Sequence, residues 1–255
     1  MVDSHCHLQD AAFEADRDAV LARAMDAGIE RLLVPGFDLP SSRAAIALAQ
    51  RHPTVLSAAV GIHPHFAAAT DAADWREIAE LAAAAEVVAV GEIGLDYFRN
   101  LSPPDVQRNA MARQLDLAAE LAKPVLVHDR DAHDDIRAAL LAWRGPGREP
   151  RGVLHAFSGD AEMAVQMAAA GYLVSFALPL TFRSAAGPRT AAATIDDGTF
   201  LTETDSPWLA PQGRGARNEP TTVLRIVAEL ARLREASPEA VAAGVAGAYA
   251  ALIGS

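Results

Sequence analysis

Short apolar segments alternate along this chain with longer stretches whose apolar positions recur with a helical period. Eight strand-like segments are predicted, at residues 1–7, 29–35, 55–63, 87–96, 124–129, 152–157, 172–177 and 200–205. Helical stretches lie between most of them, such as 17–27, 74–85, 106–121 and 161–170, and two more, at 221–234 and 238–252, follow the last strand. Because strands that alternate with helices pair in parallel, the pattern predicts an α/β fold.

Several of the strand-like segments are apolar without interruption, as at 87–90 and 124–127. Parallel strands have this composition when helices cover both faces of the sheet. Eight strand–helix units within 255 residues are typical of a TIM-type (β/α)8 barrel. No glycine-rich dinucleotide loop follows the first strand. We therefore expect one barrel domain over residues 1–255, without a linker.

Composition narrows the range of partners and compartments. The net charge of −11 disfavours extended binding to duplex DNA but allows an enzyme that holds only a chain end. No apolar run is long enough to cross a membrane, and no signal-peptide core follows Met1. The single cysteine, Cys6, excludes an internal disulfide and fits a reducing compartment. We expect a cytoplasmic protein that binds no membrane, with a monomer favoured.

Histidines collect at the carboxyl ends of the predicted strands, where the active sites of TIM barrels lie. Five of the eight histidines are placed in this way: His5, His7, His63, His128 and His155. His5 and His7 stand two residues apart in the first strand, so their side chains should share one face while Cys6 turns away. Two imidazoles on one face are half of a divalent-metal site, and the alternative is a pair of surface histidines.

Two carboxylates extend the set of candidate ligands. Glu92 lies inside an apolar strand, where an ionised side chain needs a partner, either a cation or an arginine. Asp205 ends the last strand, and its alternative role is to cap a helix before Pro207. The candidate metal ligands are His5, His7, Glu92, His128, His155 and Asp205. They exceed the needs of one zinc-like ion, so we predict a two-metal site that shares Glu92 and suits Mg, Mn or Zn.

These residues belong to five ordered motifs: His5-Cys-His7, Gly61-Ile-His-Pro-His65, Gly91-Glu-Ile-Gly-Leu-Asp-Tyr97, His155-Ala-Phe-Ser-Gly159 and Glu203-Thr-Asp-Ser-Pro207. Together they resemble the TatD family of metal-dependent deoxyribonucleases, in the amidohydrolase-like superfamily, over nearly the whole chain. The resemblance implies a TIM barrel, a divalent metal centre and hydrolysis of phosphodiester bonds, as a 3′–5′ exonuclease on DNA and sometimes RNA. The chain departs from the family pattern at Ala156, usually cysteine, and at Asp129, usually serine, which adds a negative charge near the pocket.

The resemblance also implies a role for each residue. One ion would be held by His5, His7 and Asp205 and the other by His128 and His155, with Glu92 as the bridge. Asp205 would in addition take a proton from water, and Glu203 would orient a ligand from behind. His63 would contact the scissile phosphate or protonate the leaving oxygen, the alternative being a hydrogen bond within its proline-flanked turn.

Arginines and aromatic side chains are the candidate substrate contacts. Arg130 follows the fifth strand, and Arg214 and Arg217 lie in a glycine-rich loop after the eighth, where barrels often bind phosphate. The alternative for the two loop arginines is unspecific solvated charge. Tyr97 and Phe98 would stack on a base or pack against a neighbouring loop.

Three hypotheses follow from the sequence. The leading one is a metal-dependent phosphodiesterase that acts on nucleic-acid ends. The second is a hydrolase that cleaves an ester or amide, such as an aminoacyl-tRNA or a small metabolite, at the same centre. The third is a binding scaffold with a structural metal, which six ligands disfavour because structural sites are usually closed. A carboxylated-lysine bridge is excluded, because the only lysine, Lys123, precedes strand five at the opposite end of the barrel.

Overall fold

The computed structural model describes residues 1–143, 145, 147, 149, 151–211 and 216–254. Within them, parallel strands form one sheet in sequence order: Val2–Asp3 (β1), Arg31–Pro35 (β2), Leu56–Val60 (β3), Val87–Asp96 (β4), Val125–Arg130 (β5), Gly152–Leu154 (β6), Tyr172–Phe176 (β7) and Phe200–Thr202 (β8). The helices are Arg17–Asp26 (α1), Leu39–Arg51 (α2), Ala72–Ala82 (α3), Pro104–Glu120 (α4), His133–Ala142 (α5), Ala161–Ala169 (α6), Ala186–Thr194 (α7), Val223–Leu233 (α8) and Pro238–Ile253 (α9). One helix follows each strand, and two follow the last.

The sheet curves until its first and last strands meet. The Ser4 amide donates a 2.9 Å hydrogen bond to the carbonyl of Thr202, and the Thr202 hydroxyl donates to the carbonyl of Val2 at 3.0 Å. Buried apolar side chains of the strands and of the helices around them form one core. The predicted TIM-type (β/α)8 barrel is confirmed.

Strands β1 and β8 are shorter than the sequence pattern predicts. The first ends at Asp3, because the carboxylate of Asp3 accepts from the amides of His5 at 3.4 Å and Thr204 at 2.9 Å in place of ladder carbonyls. The last ends at Thr202, because the backbone of Asp205 turns into the left-handed region, with φ at +53°. The regular ladder therefore stops before the candidate ligands at both positions, although the chain continues in the same direction.

Helices α8 and α9 close the chain beside the seam of the barrel. Helix α9 contacts both β1 and β8, and Tyr249 and Leu252 are buried there. No single helix in the described part of the chain is both long and apolar enough to cross a membrane. The pair of segments 220–233 and 238–253, bent by 110°, meets that test by length and composition alone.

The only lysine lies at the amino end of the strands. The Lys123 ammonium donates to the carbonyls of Ala82 and Ala84 at the end of α3, the latter at 3.1 Å. Partial burial lowers the pKa of this ammonium. The side chain is therefore far from the carboxyl ends of the strands, as the sequence predicts.

Two glutamines of α4 hold the carboxyl ends of β3 and β4. The Gln114 side chain accepts from the Ile62 amide at 2.7 Å and donates to the Ile62 carbonyl at 3.0 Å. Gln107 does the same for Asp96, at 2.8 and 3.1 Å. Both side chains are fully buried, and they stand two helical turns apart on one face of α4. They replace ladder hydrogen bonds where the strands end, beside His63 and the end of β4.

We expect Gln114→Ala to lower the free energy of unfolding by about 3 kcal/mol, because it leaves the buried amide and carbonyl of Ile62 without partners. Urea denaturation followed by circular dichroism measures the change. Gln50→Ala is the matched control, because that exposed side chain donates to the Glu86 carboxylate and to no other group among the described residues. It should change the stability by less than about 0.5 kcal/mol. A loss for Gln114→Ala no larger than that of the control would contradict this account.

Candidate metal centre

His5 and His7 bring two imidazoles together after β1. Their Nε2 atoms lie 3.0 Å apart, and both residues are almost fully buried. The Nδ1–H of His7 donates to the carbonyl of Pro35 at 3.1 Å, and Gln9 donates to the same carbonyl at 2.7 Å. In a neutral His7 ring the Nε2 atom therefore presents its lone pair to His5. Cys6, between them, is buried and turns into the core, as predicted.

Glu92 stands at the centre of the histidines. Its Oε2 atom lies 3.4 Å from Nε2 of His5 and 3.6 Å from Nε2 of His7. Its Oε1 atom lies 3.0 Å from Nδ1 of His128 and 2.9 Å from Nε2 of His155. Each carboxylate oxygen thus faces a different pair of imidazoles, so the one side chain could be a ligand on both sides.

Gly94 allows β4 and β5 to approach closely at this point. Its φ is +138°, and an added Cβ would overlap the carbonyl oxygen of His128. A side chain at this position would push β5 away. The glycine two residues after Glu92 therefore brings His128 within reach of the carboxylate.

Asp205 faces the first pair of histidines. Its Oδ1 atom lies 3.6 Å from Nε2 of His7 and 3.9 Å from Nε2 of His5, and its amide donates to the carbonyl of His5 at 2.9 Å. In the described part of the chain no backbone amide donates to this carboxylate, so it does not cap a helix. The side chain is 16% exposed and is open to the cavity above the site.

Glu203 lies behind His155 and orients it. Its Oε1 atom accepts from the Ala156 amide at 2.7 Å and lies 3.3 Å from Nδ1 of His155. With a single proton, held on Nδ1 by this carboxylate, the ring would direct the lone pair of Nε2 toward Glu92 and toward a cation bound there. Burial lowers the pKa of His155, but the charges of Glu92 and Glu203 outweigh it and raise the pKa well above the usual value.

His63 lies at the centre and directs its Nε2 atom toward Glu92. Its Nδ1 atom accepts from the amide of His65 at 3.1 Å, so the neutral ring carries its proton on Nε2, which lies 3.4 Å from Oε1 of Glu92. Burial lowers the pKa of His63 well below the usual value, and the ring stays neutral. From the sequence, a hydrogen bond within the turn and a place at the site were alternatives for His63. In the structure the two occur together.

His65 and Asp96 are part of the site, although sequence reasoning did not single them out. Nε2 of His65 lies 2.6 Å from Oδ2 of Asp96, and Nε2 of His128 lies 3.4 Å from the same oxygen. Burial raises the pKa of Asp96, but the nearby His128 ring and hydrogen bonds from the Arg99 amide and His65 outweigh it and hold the pKa well below the usual value. Their position in the sequence could have indicated these two residues, because both stand at strand ends within the motifs that contain His63 and Glu92.

The donor set fits divalent cations. The Nε2 atoms of His7 and His155 face carboxylate oxygens at 2.9–3.6 Å in a buried space, where a divalent cation would balance the negative charge that a proton on His155 balances in its absence. Burial raises the pKa of Glu92, yet the surrounding imidazoles lower it well below the usual value, so the carboxylate stays ionised. Three groups of ligand atoms lie close enough to hold an ion: His5, His7 and Glu92; His5, His155 and Glu203; and His63, Glu92 and His128. Nitrogen and carboxylate donors are those of zinc and manganese sites.

Of the predicted substrate contacts, Arg130 lines a cavity beside the centre and Tyr97 does not. Arg130 stacks on the ring of Phe98 at 4.8 Å and lines a 650 Å³ cavity that also reaches His128 and His155. Tyr97 lies outside that cavity, and its hydroxyl is engaged, donating to Asp135 at 2.6 Å.

Arg217 is engaged with carboxylates and does not line the cavities that border the site. It forms ion pairs with Asp16 at 2.6 Å and with Glu219 at 2.7 Å, and it stacks on Phe13. Its guanidinium thus fastens residue 217 to the start of α1, and these carboxylates neutralise its charge. Phosphate binding by Arg217 stays a prediction. Arg214 lies outside the described residues.

Two cavities flank the metal centre. One, of 390 Å³, is lined by Phe37, Phe66, Arg99 and Trp208 together with site histidines. The other is the 650 Å³ cavity that Arg130 lines. The cavities share His128, His155 and Asp205, so a chain passing from one to the other crosses the candidate ligands.

Comparison with known proteins agrees with this geometry. The model of the TatD related DNase family matches residues 2–254. The chain is 38% identical over 247 residues to the 3′-5′ ssDNA/RNA exonuclease TatD of Erwinia billingiae, covering 94% of each chain. It is 36% identical to the uncharacterized metal-dependent hydrolase YabD of Bacillus subtilis, covering 95% of this chain and 94% of that one. The crystal structure of YJJV, a TatD homolog from Escherichia coli K12, superposes with a TM-score of 0.92 at 30% identity, over 100% of this chain and 98% of that one. The chain therefore belongs to the TatD-related deoxyribonuclease family.

Proposed function

We propose that this protein is a metal-dependent phosphodiesterase that removes nucleotides from the 3′ ends of single-stranded DNA and RNA. The observation that carries the proposal is the buried carboxylate of Glu92, whose two oxygens each face a pair of imidazoles at 2.9–3.6 Å. The activity for which the TatD relatives are named, at up to 38% identity, supports the same reaction.

Two divalent ions, Mg, Mn or Zn, are the proposed cofactors. One would be held by His5, His7 and Asp205, the other by His128 and His155, with Glu92 shared. Divalent cations in such a centre lower the pKa of water and offset the negative charge that develops on phosphate oxygens.

Side chains of the protein accept the proton from water, stabilise the phosphate and bind the strand. Asp205 is the most exposed of the carboxylates around the centre, and it accepts the proton of the attacking water. The Nε2–H of His63 donates a hydrogen bond to a phosphate oxygen, where charge grows as the bond to the leaving oxygen breaks. Arg130, on the wall of the larger cavity, contacts the phosphates of the strand.

The substrate is therefore a nucleic-acid end and not an extended duplex. The net charge of −11 agrees, since it gives no broad attraction for duplex DNA. We also propose that the protein is a monomer and is located in the cytoplasm.

The decisive experiment strips the protein of metal, reconstitutes it with Mg, Mn or Zn in turn, and incubates it with 3′-labelled single-stranded DNA, RNA and a simple ester. Release of mononucleotides from the labelled end, with at least one metal, is the expected result. Ester turnover with intact nucleic acid would favour the hydrolase of small esters or amides. Stoichiometric metal binding without turnover of any substrate would favour a scaffold with a structural metal.

We expect His63→Ala to lower kcat/KM on single-stranded DNA by about 10²-fold, because it removes one hydrogen-bond donor from the phosphate. The metal content per chain, measured by atomic absorption, should not change, since the lone pair of His63 is used by the His65 amide. His52→Ala is the matched control, at the end of α2 on the opposite side of the barrel. Loss of one ion from His63→Ala would instead make this residue a ligand.

A further inference from the structure

Three aromatic side chains form an unusual wall beside the metal centre, and we call Phe37, Phe66 and Trp208 the aromatic wall. The ring centroids of Phe37 and Phe66 lie 5.6 Å apart in a stacked arrangement, and those of Phe37 and Trp208 lie 6.4 Å apart. The Trp208 ring contacts the His7 ring at 4.6 Å. The aromatic wall is thus continuous with a candidate metal ligand.

The aromatic wall is exposed where a barrel core would bury it. Trp208 is 46% exposed, Phe66 is 37% exposed, and both face the 390 Å³ cavity. Exposed aromatic surface inside a concave site marks a ligand contact more often than a packing defect. The volume lies at the lower end of the range of about 300–1,000 Å³ for small-molecule sites, which suits one nucleotide.

A positive charge borders the same cavity. The backbone of Arg99 is anchored, because its amide donates to Oδ1 of Asp96 at 2.7 Å. Arg99 lines the cavity, and its guanidinium has no ion-pair partner within the described part of the chain. Aromatic faces together with a guanidinium are what an unpaired nucleotide requires, the first for the base and the second for its phosphate.

We infer that the aromatic wall is the subsite for the base of the 3′-terminal nucleotide, with Arg99 supplying a positive charge to that nucleotide; this inference rests on the proposed function. The larger cavity, with Arg130, holds the preceding strand, and the scissile phosphate lies between them at the shared ligands. Stacking accepts every base. Only an unpaired base can enter, so the subsite also selects single strands over duplex ends.

Substrates with and without a terminal base test this inference. Two oligonucleotides are compared, identical except that one ends in an abasic deoxyribose. For the metal-loaded wild-type protein, we expect KM for the first cleavage to be about 10-fold or more higher on the abasic end. Trp208→Leu should raise KM on the base-bearing end by a similar factor and leave KM on the abasic end unchanged. Phe182→Leu, which alters a half-exposed ring outside both cavities, is the control and should change neither value.

A binding measurement separates the subsite from catalysis. Deoxyadenosine 5′-monophosphate should quench tryptophan fluorescence of the wild-type protein more than deoxyribose 5-phosphate does, and Trp208→Phe should remove that difference. Equal KM values of the wild-type protein for both oligonucleotides would overturn the base subsite and leave the nuclease intact. Absence of nucleotide release from either oligonucleotide, with every metal, would overturn the proposed function together with the subsite. The wild-type comparison decides the question even where a variant fails to fold.

Discussion

Glu92→Gln should lower kcat/KM on 3′-labelled single-stranded DNA by a factor on the order of 10³, the scale expected when a charge-stabilising group is removed from an active site. The amide keeps the size of the side chain but cannot offer two anionic oxygens to two pairs of imidazoles. We therefore also expect weaker retention of both ions. Steady-state kinetics and metal content per chain measure the two effects.

Glu120→Gln is the matched control for this substitution, since it makes the same chemical change at an exposed position on α4. It should leave both the rate and the metal content unaltered. A Glu92→Gln protein that keeps full activity with two ions bound would show that the carboxylate is not the bridge.

Asp205→Asn is expected to reduce kcat by about 10²–10⁴-fold, because the amide can no longer accept a proton from the attacking water. KM should change little, since the cavity walls are preserved. Single-turnover cleavage at saturating DNA isolates this step from binding and product release.

The control for Asp205→Asn is Asp196→Asn, an exposed aspartate that precedes β8 at the opposite end of the barrel. It should have no effect on the rate. A drop in affinity for DNA with an unchanged kcat would assign Asp205 to substrate binding and refute its role as the base.

The barrel could be predicted from the chain because its strands are apolar runs with local signals. Strand β4 begins and ends where the pattern predicts, at Val87 and Asp96. The ends of β1 and β8 could not be predicted in the same way, because they depend on bonds between residues about 200 positions apart, such as Asp3 with Thr204. Local patterns contain no information on such pairings.

The meeting of the candidate ligands was also predictable, because all six lie in the carboxyl half of a strand or directly beyond its end, and the fold brings these parts of the strands together. The ion pair of Arg217 was not predictable, because its partner Asp16 lies 201 positions away and the residues near either one give no indication of the pair. The aromatic wall escaped notice for a similar reason. Phe37, Phe66 and Trp208 come from three separate loops, and each alone looks like an ordinary core side chain.

The place of the single lysine has a practical consequence. Lys123 is the only side-chain amine with which an amine-directed reagent can react. It lies at the amino end of the strands, where its ammonium donates to the carbonyls of Ala82 and Ala84. Coupling through that group would fasten each molecule to a bead or sensor by the base of the barrel. A copy immobilised through Lys123 would then present its open mouth to the solution.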